Sequence, residues 1–175
     1  DESAELGHRE VYTYDLVDVG REVFAQLITR AEADLDQQVN EKTPNMTLVA
    51  EAAAKLVLLY RDMDTLLGCE SAFLLGPWVK SAVSWADPTD APEAYYTWNA
   101  KSQVSTWWPV NVSSRADPST FSHLPKLDNY ANKHWNGLVG DFYLGRVQAY
   151  INQLFIDLPK HQPVNQVSAH LRARS

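Results

Sequence analysis

The sequence predicts an all-α fold, a bundle of about five helices whose sequential neighbours are mostly antiparallel. Three observations carry that expectation. Apolar residues recur at i, i+3, i+4 over long stretches, the spacing that puts them on one helix face. No stretch alternates apolar and polar residues between hairpin turns, as half-buried strands would. The nine prolines sit at seams between the periodic stretches, where short connections make consecutive helices antiparallel neighbours.

The first helix is expected over Tyr14–Val39, with Leu16, Gly20, Val23, Phe24, Leu27, Ile28, Ala31 and Leu35 in helical register. The polar run 40–45, with Pro44, suits a turn. A second helix starts near Thr47 and aligns Val49, Ala52, Leu56, Leu59, Tyr60, Met63, Leu66 and Leu67; Gly68 follows where a left-handed cap would end it. A third is expected over Leu74–Ala86, with Trp78, Ala82 and Trp85 on one stripe, stopped at Asp87 by Pro88. Asp90, Pro92 and Glu93 form a start signal for a fourth over Ala91–Thr106, which aligns Tyr95, Tyr96, Asn99 and Gln103. Pro109–Pro125 is a long loop, of a length usually tied to function. A fifth helix is expected over Leu127–Leu158, and the polar, basic tail 159–175 should fray. The resulting organisation is an extension over 1–13, a helical domain over 14–158 with its loop at 109–126, and the tail.

Length and charge exclude several classes. With 175 residues the chain can bury one core but is too short for a (β/α)8 barrel, which takes roughly 250. A net charge of −7 argues against nucleic-acid binding, which wants a basic surface. A single cysteine, Cys69, excludes an internal disulfide framework and a thiolate metal cluster. No apolar run approaches the ~18 residues of a spanning helix. The start at Asp-Glu-Ser, without Met or a signal peptide, is expected of a processed or excised piece.

The chemistry-bearing residues are unevenly placed. All six tryptophans (78, 85, 98, 107, 108 and 135) lie in the second half of the chain. Each could be plain core, but Trp107 and Trp108 stand at a helix end before the polar loop, and neighbours on a helix point about 100° apart, so both cannot fill one core slot. Flat rings with polar neighbours suit a sugar, which offers apolar C–H faces and a hydroxyl rim. The acids form no convincing pair for glycoside hydrolysis. Asp15, Asp18, Asp34 and Asp36 belong to a solvated helix side, and Asp62 and Asp64, two apart, do not share a helix face. Asp128 suits a helix start. The five histidines lack metal-ligand spacing, no catalytic residue or cofactor is expected, and Cys69 has no evident base beside it. Two N-x-S/T sequons, at Asn45 and Asn111, fall in or beside loops and point to glycosylation on a secretory route, lysosomal, vacuolar or extracellular.

Four segments, in order, resemble the C-terminal helical region of the α-N-acetylglucosaminidases of glycoside hydrolase family 89: Tyr14–Val23, Phe73–Trp78, Tyr96–Trp107 and Leu127–Leu138 with Asp141–Leu144. The resemblance spans about residues 14–154. The Tyr130-Ala-Asn-Lys133 core of the last segment, with the tryptophan-bearing segment upstream, is its most specific part. The 109–126 loop looks longer than in many relatives, Asn129 stands where aspartate is usual, and Gly145 replaces a common proline.

The resemblance implies a division of labour. In the family two glutamates on an upstream (β/α)8 barrel remove terminal α-linked N-acetylglucosamine with retention, and this chain holds no such barrel. The helical region packs on the barrel and lines the sugar pocket, with Trp107, Leu127 and Tyr130 at the matching positions. The expected partners are thus the barrel of the same enzyme, as segment or separate subunit, and the terminal sugar. The alternatives are a stand-alone helical module derived from such an enzyme that binds a partner or glycan without catalysis, and a plain bundle of accidental similarity.

Overall fold

The structure, a computed structural model, describes residues 10–87, 89, 91–105 and 133–160. Among them are five α-helices and no β-strand: α1 (Glu10–Val39), α2 (Met46–Leu67), α3 (Leu75–Val83), α4 (Glu93–Gln103) and α5 (Leu144–Asp157). Short 3-10 turns at Ser71–Phe73 and Leu158–Lys160 and a π-helical turn at Leu138–Tyr143 complete the order. The all-α expectation holds. The described residues form two compact units, one from residues up to 75 together with those from 134 onward, the other from those between 76 and 133.

In the first unit α1 and α2 form an antiparallel hairpin, since Gly20 lies against Leu66, Glu32 meets Tyr60 and Asp34 meets Lys55. Asn45 caps α2, its side-chain oxygen accepting from the Thr47 and Leu48 amides. A Cβ at Gly20 would come within 2.7 Å of the Leu66 side chain, so glycine there lets the helices approach closely. The predicted stripe of α2 points inward, with Val49, Leu56, Met63 and Leu67 buried, but that of α1 does so only in its second half. There Ile28, Ala31 and Leu35 are buried, whereas Leu16, Val23 and Leu27 are exposed and Val17, outside the predicted stripe, is buried in their place. Val139, Leu144 and Leu154 complete one aliphatic cluster with them.

The second unit is a shorter hairpin of α3 and α4. The Trp78 indole N–H donates to the Ala100 carbonyl at 2.8 Å, which ties the start of α3 to the last turns of α4. Pro92 is the N-cap residue of α4 and offers no side-chain bond; the expected cap at Asp90 lies outside the described residues. Two bonds from Thr89 to the Asp87 carboxylate turn the chain between the helices and hold that exposed carboxyl below the usual range.

Several boundaries differ from expectation: α3 ends at Val83, three residues before Ala86, α4 starts at Glu93 and not Ala91, and three further differences are informative. Helix α1 begins at Glu10, four residues before Tyr14. Gly68 closes α2 in the right-handed region, at φ −65; glycine is wanted there because a Cβ would crowd the Asn136 side-chain amide at 3.2 Å. The largest difference concerns the fifth helix, expected from Leu127. Residues 127–132 lie outside the described residues, 133–137 are not helical, Gly137 has φ +85, and from there on helical structure runs from Leu138. The cause is an interruption at Asn136, whose amide donates to the Phe73 carbonyl at 2.7 Å and whose carbonyl accepts from the Leu75 amide at 3.2 Å. A backbone held by another segment cannot also make the i to i−4 bonds of a helix.

Candidate functional site

The pocket residues expected from sequence, Trp107, Leu127 and Tyr130, lie outside the described residues, as does the Asn111 sequon. What the structure describes is the frame on either side of them. Helix α4 ends at Gln103, four residues before Trp107, and the described chain resumes at Lys133, three after Tyr130.

That resumption is tightly held. Asp64, near the end of α2, accepts from the Gly137 and Gly140 amides through one carboxylate oxygen, both at 2.8 Å. The Asn136 side-chain amide donates to its other oxygen at 3.0 Å and to its backbone carbonyl at 2.9 Å. Asp64 therefore caps the π-helical turn from a different helix, satisfying amides that have no intrahelical partner and placing negative charge at the positive end. Gly140 is obligatory in this arrangement, because a Cβ would stand 2.6 Å from the carboxylate. With both oxygens committed to donors, Asp64 is a structural group. Sequence reasoning passed over it, yet the Asn136-Gly137 pair inside an otherwise helical pattern is a turn signal that could have exposed the junction.

A cleft opens in the second unit between α3 and α4. Its walls are two aligned stripes, Trp78, Ser81 and Trp85 on the α3 side and Tyr96, Asn99 and Gln103 on α4, around a volume of about 320 Å³. Spacings of three and four residues put Trp78 and Ser81 on one face of α3 and Tyr96, Asn99 and Gln103 on one face of α4, and Trp85 stands in the turn just past α3. The sequence aligned Trp78, Ala82 and Trp85, and Tyr96, Asn99 and Gln103, all of which line the cleft; it did not single out Ser81 and lacked the confrontation of the two stripes across a cleft. None of the lining side chains is charged.

The first unit also holds a polar group at its core edge. The Tyr60 hydroxyl donates to Glu32 at 3.1 Å. Burial raises the Glu32 carboxyl above its ordinary value despite that bond, helped by the charge of Asp36. Burial likewise pushes Tyr60 up, with Glu32 adding to it, and moves Tyr143 up to about 12. The Tyr143 hydroxyl is buried without a hydrogen-bond partner among the described residues. Arg146 lies over the Phe142 ring, 5.4 Å from its centre, and burial lowers its pKa. His134 approaches Arg21, Nδ1 to Nη1 at 3.5 Å. Burial and then the Arg21 charge lower its pKa, opposed by Glu22, so the imidazole is neutral at pH 7. Among the described residues no three His, Cys, Asp or Glu side chains are grouped to hold a metal ion. No described helix is long and apolar enough to cross a membrane. Cys69 is exposed and its thiol leans on the Thr65 carbonyl.

The fold and these contacts define the class first: an all-α domain whose best-held carboxylate serves its own backbone and whose cleft is uncharged. Residues 1–174 match the family described as the alpha-N-acetylglucosaminidase (NAGLU) C-terminal domain, and the chain belongs to that family. Human alpha-N-acetylglucosaminidase is 25% identical over 161 residues, covering 92% of this chain and 20% of the human protein. A family 89 glycoside hydrolase from Clostridium perfringens, solved with 2-acetamido-1,2-dideoxynojirimycin, shares the fold with a TM-score of 0.70 at 21% identity, over 91% of this chain and 17% of that one. A second Clostridium perfringens structure, holding the substrate GlcNAc-alpha-1,4-galactose, superposes with a TM-score of 0.69 at 20% identity and the same coverage. The chain thus spans about a fifth of the length of the relatives it matches.

Proposed function

We propose that this chain is the C-terminal helical segment or subunit of an α-N-acetylglucosaminidase-like glycoside hydrolase. It packs on a catalytic (β/α)8 barrel and lends Trp107, Leu127 and Tyr130 to the pocket for a terminal N-acetylglucosamine, while the two glutamates act from the barrel. The observation that carries the reading is on α1. Tyr12, Leu16, Val19, Val23 and Leu27 form an exposed apolar stripe, with Leu16 57% and Val19 64% accessible. Their i, i+3, i+4 spacing keeps them on one face for about 22 Å. Asp15, Asp18 and Glu22 border it. A contiguous apolar strip with a polar rim marks a surface meant to be covered, and the four-fifths of the human relative's length that lies outside the match offers polypeptide to cover it.

The stacking role of Trp107 rests on ring chemistry: an indole face against a pyranose is worth roughly 1–3 kcal/mol by analogy with aromatic stacking on bases. In the assembled enzyme Trp107→Ala should raise KM for an aryl α-N-acetylglucosaminide by about tenfold. Unchanged kinetics would remove the residue from the pocket, and hydrolysis by the 175-residue chain alone would overturn the division of labour. The same reading puts the chain on the secretory route, lysosomal, vacuolar or extracellular, with glycans at Asn45 and Asn111. The Asn45 cap is compatible with this, because it uses the side-chain oxygen and leaves the nitrogen to which a glycan attaches.

A further inference from the structure

We infer that the cleft between α3 and α4 is a binding site for one neutral pyranose ring, with Trp78 and Trp85 as its apolar wall and the amides of Asn99 and Gln103 as its hydroxyl-reading rim. Only this hairpin is needed; neither a partner barrel nor Trp107 enters.

Four features of the cleft converge on that ligand. First, an uncharged lining offers nothing to repay the desolvation of a phosphate, a carboxylate or an ammonium group, so a charged ligand is disfavoured. Second, a volume of about 320 Å³ lies at the small end of ligand sites, which run from about 300 to 1,000 Å³; one ring fits, and an extended peptide does not. Third, the aromatic wall is preset. The Trp78 indole N–H is committed to the Ala100 carbonyl, which leaves the ring as a flat surface in a fixed orientation. Tyr96 is held edge-on by Tyr95, with ring centres 5.7 Å apart. Groups fixed before binding lose little freedom on binding.

The fourth feature is the unspent hydrogen-bonding capacity of the rim. The side-chain amides of Asn99 and Gln103 have no partner among the described residues, and they stand one helical turn apart on α4. Each amide offers two donors and an acceptor, the mixed set that adjacent sugar hydroxyls or an acetamido group require. Ser81 adds a hydroxyl on the opposite wall. Trp85, 78% exposed, is a large apolar surface left in water with no core role, and a pyranose C–H face would cover it.

The test is a nuclear magnetic resonance titration of the full chain with methyl N-acetyl-α-glucosaminide and, separately, methyl α-glucopyranoside. An open-chain polyol, sorbitol, and a proline-rich peptide serve as comparisons. Saturable shifts are expected at the Asn99 and Gln103 side-chain amides and the Trp85 indole N–H, with a Kd on the order of millimolar. Trp85→Ala, and separately the pair Asn99→Ala with Gln103→Ala, should each weaken binding about tenfold. These side chains are not buried, so the variants keep the fold, and a dispersed spectrum checks that. The two glycosides differ at the acetamido group: tighter binding of the first assigns that group to the rim amides, and equal binding leaves the ring and its hydroxyls as the ligand. Absence of saturable shifts, equal shifts with sorbitol, shifts only with the peptide, or binding that survives both variants would each overturn the inference. None of these readouts depends on Trp107 kinetics, so failure here and failure of the assembly proposed above are separable.

Discussion

The two units spend their apolar residues in opposite ways. The first buries an aliphatic cluster between α1, α2 and α5, where Ile28, Leu35, Met63, Leu67 and Leu154 are essentially inaccessible. The second buries little among its described residues, chiefly Ala100 and Val104, while Trp78, Trp85, Tyr95 and Trp98 all remain exposed. Aliphatic side chains pack densely and specify one arrangement; aromatic rings held at a surface keep faces available to a ligand. The difference teaches that the tryptophan-rich half of this chain should be valued for what it presents, and the leucine-rich half for what it holds in place.

The junction at Asp64 is where that holding is most exposed to attack, and it should give the largest effect. Asp64→Ala strands the amides of Gly137 and Gly140 and the Asn136 side chain together. Losing a charged acceptor shared by three donors should cost roughly 2–4 kcal/mol of unfolding free energy. Gly140→Ala, which drives a Cβ into the same carboxylate, should be comparably damaging. Chemical denaturation of both variants checks this, and a loss below about 0.5 kcal/mol for each would mean the first unit is not organised around this contact.

Much of this contrast was legible in advance, and the illegible part has a physical reason. The stripe of α2 and the second half of that of α1 follow from helical periodicity, and the Pro44 seam follows from backbone sterics. The first half of α1 was misjudged because period alone cannot tell an apolar face turned to the core from one left exposed, as Leu16, Val23 and Leu27 are. The quoted family segments turn out to be joints of the fold. Tyr14 stacks on Phe73 with ring centres 5.1 Å apart, Trp78 ties to Ala100, and Asn136 pairs with the backbone of Phe73 and Leu75. The break at Gly137 was missed because the apolar period continues across it from Ala131 to Phe142; periodicity records which residues are apolar and cannot record that Asp64, 72 residues earlier than Asn136, captures the chain there. The aromatic cleft was hidden for a related reason, since two stripes on consecutive helices look like core until their separation is known.

In the second unit a smaller effect is expected. Trp78→Phe keeps a ring in place and removes the indole N–H that the Ala100 carbonyl accepts. A half-exposed neutral bond is worth about 1 kcal/mol, and the substitution also frees the remaining ring to turn. Thermal unfolding should shift modestly while the first unit keeps its amide-exchange protection. Loss of protection across α1, α2 and α5 as well would show that the two units unfold as one and erase the energetic side of the contrast.

The smallest effect is one of slope and concerns Glu32 at the edge of the aliphatic core. Burial raises its pKa more strongly than the Tyr60 bond lowers it, so the folded chain holds this proton more tightly than the unfolded chain does. The contribution to stability is then fully present below the ordinary value near 4.5 and is lost as pH rises through the raised one. Glu32→Gln keeps an oxygen for the Tyr60 hydroxyl and cannot ionise. It should match the parent at about pH 4 and exceed it slightly at about pH 7. His134, whose lowered pKa makes the fold lose stability as pH falls below the usual histidine range, is present in both proteins and cancels in the difference. A gap of the same size at both pH values, or a variant less stable at neutral pH, would mean that the charge-assisted bond to Tyr60 outweighs the cost of burying Glu32, and that even the core-building unit carries an ion by net advantage.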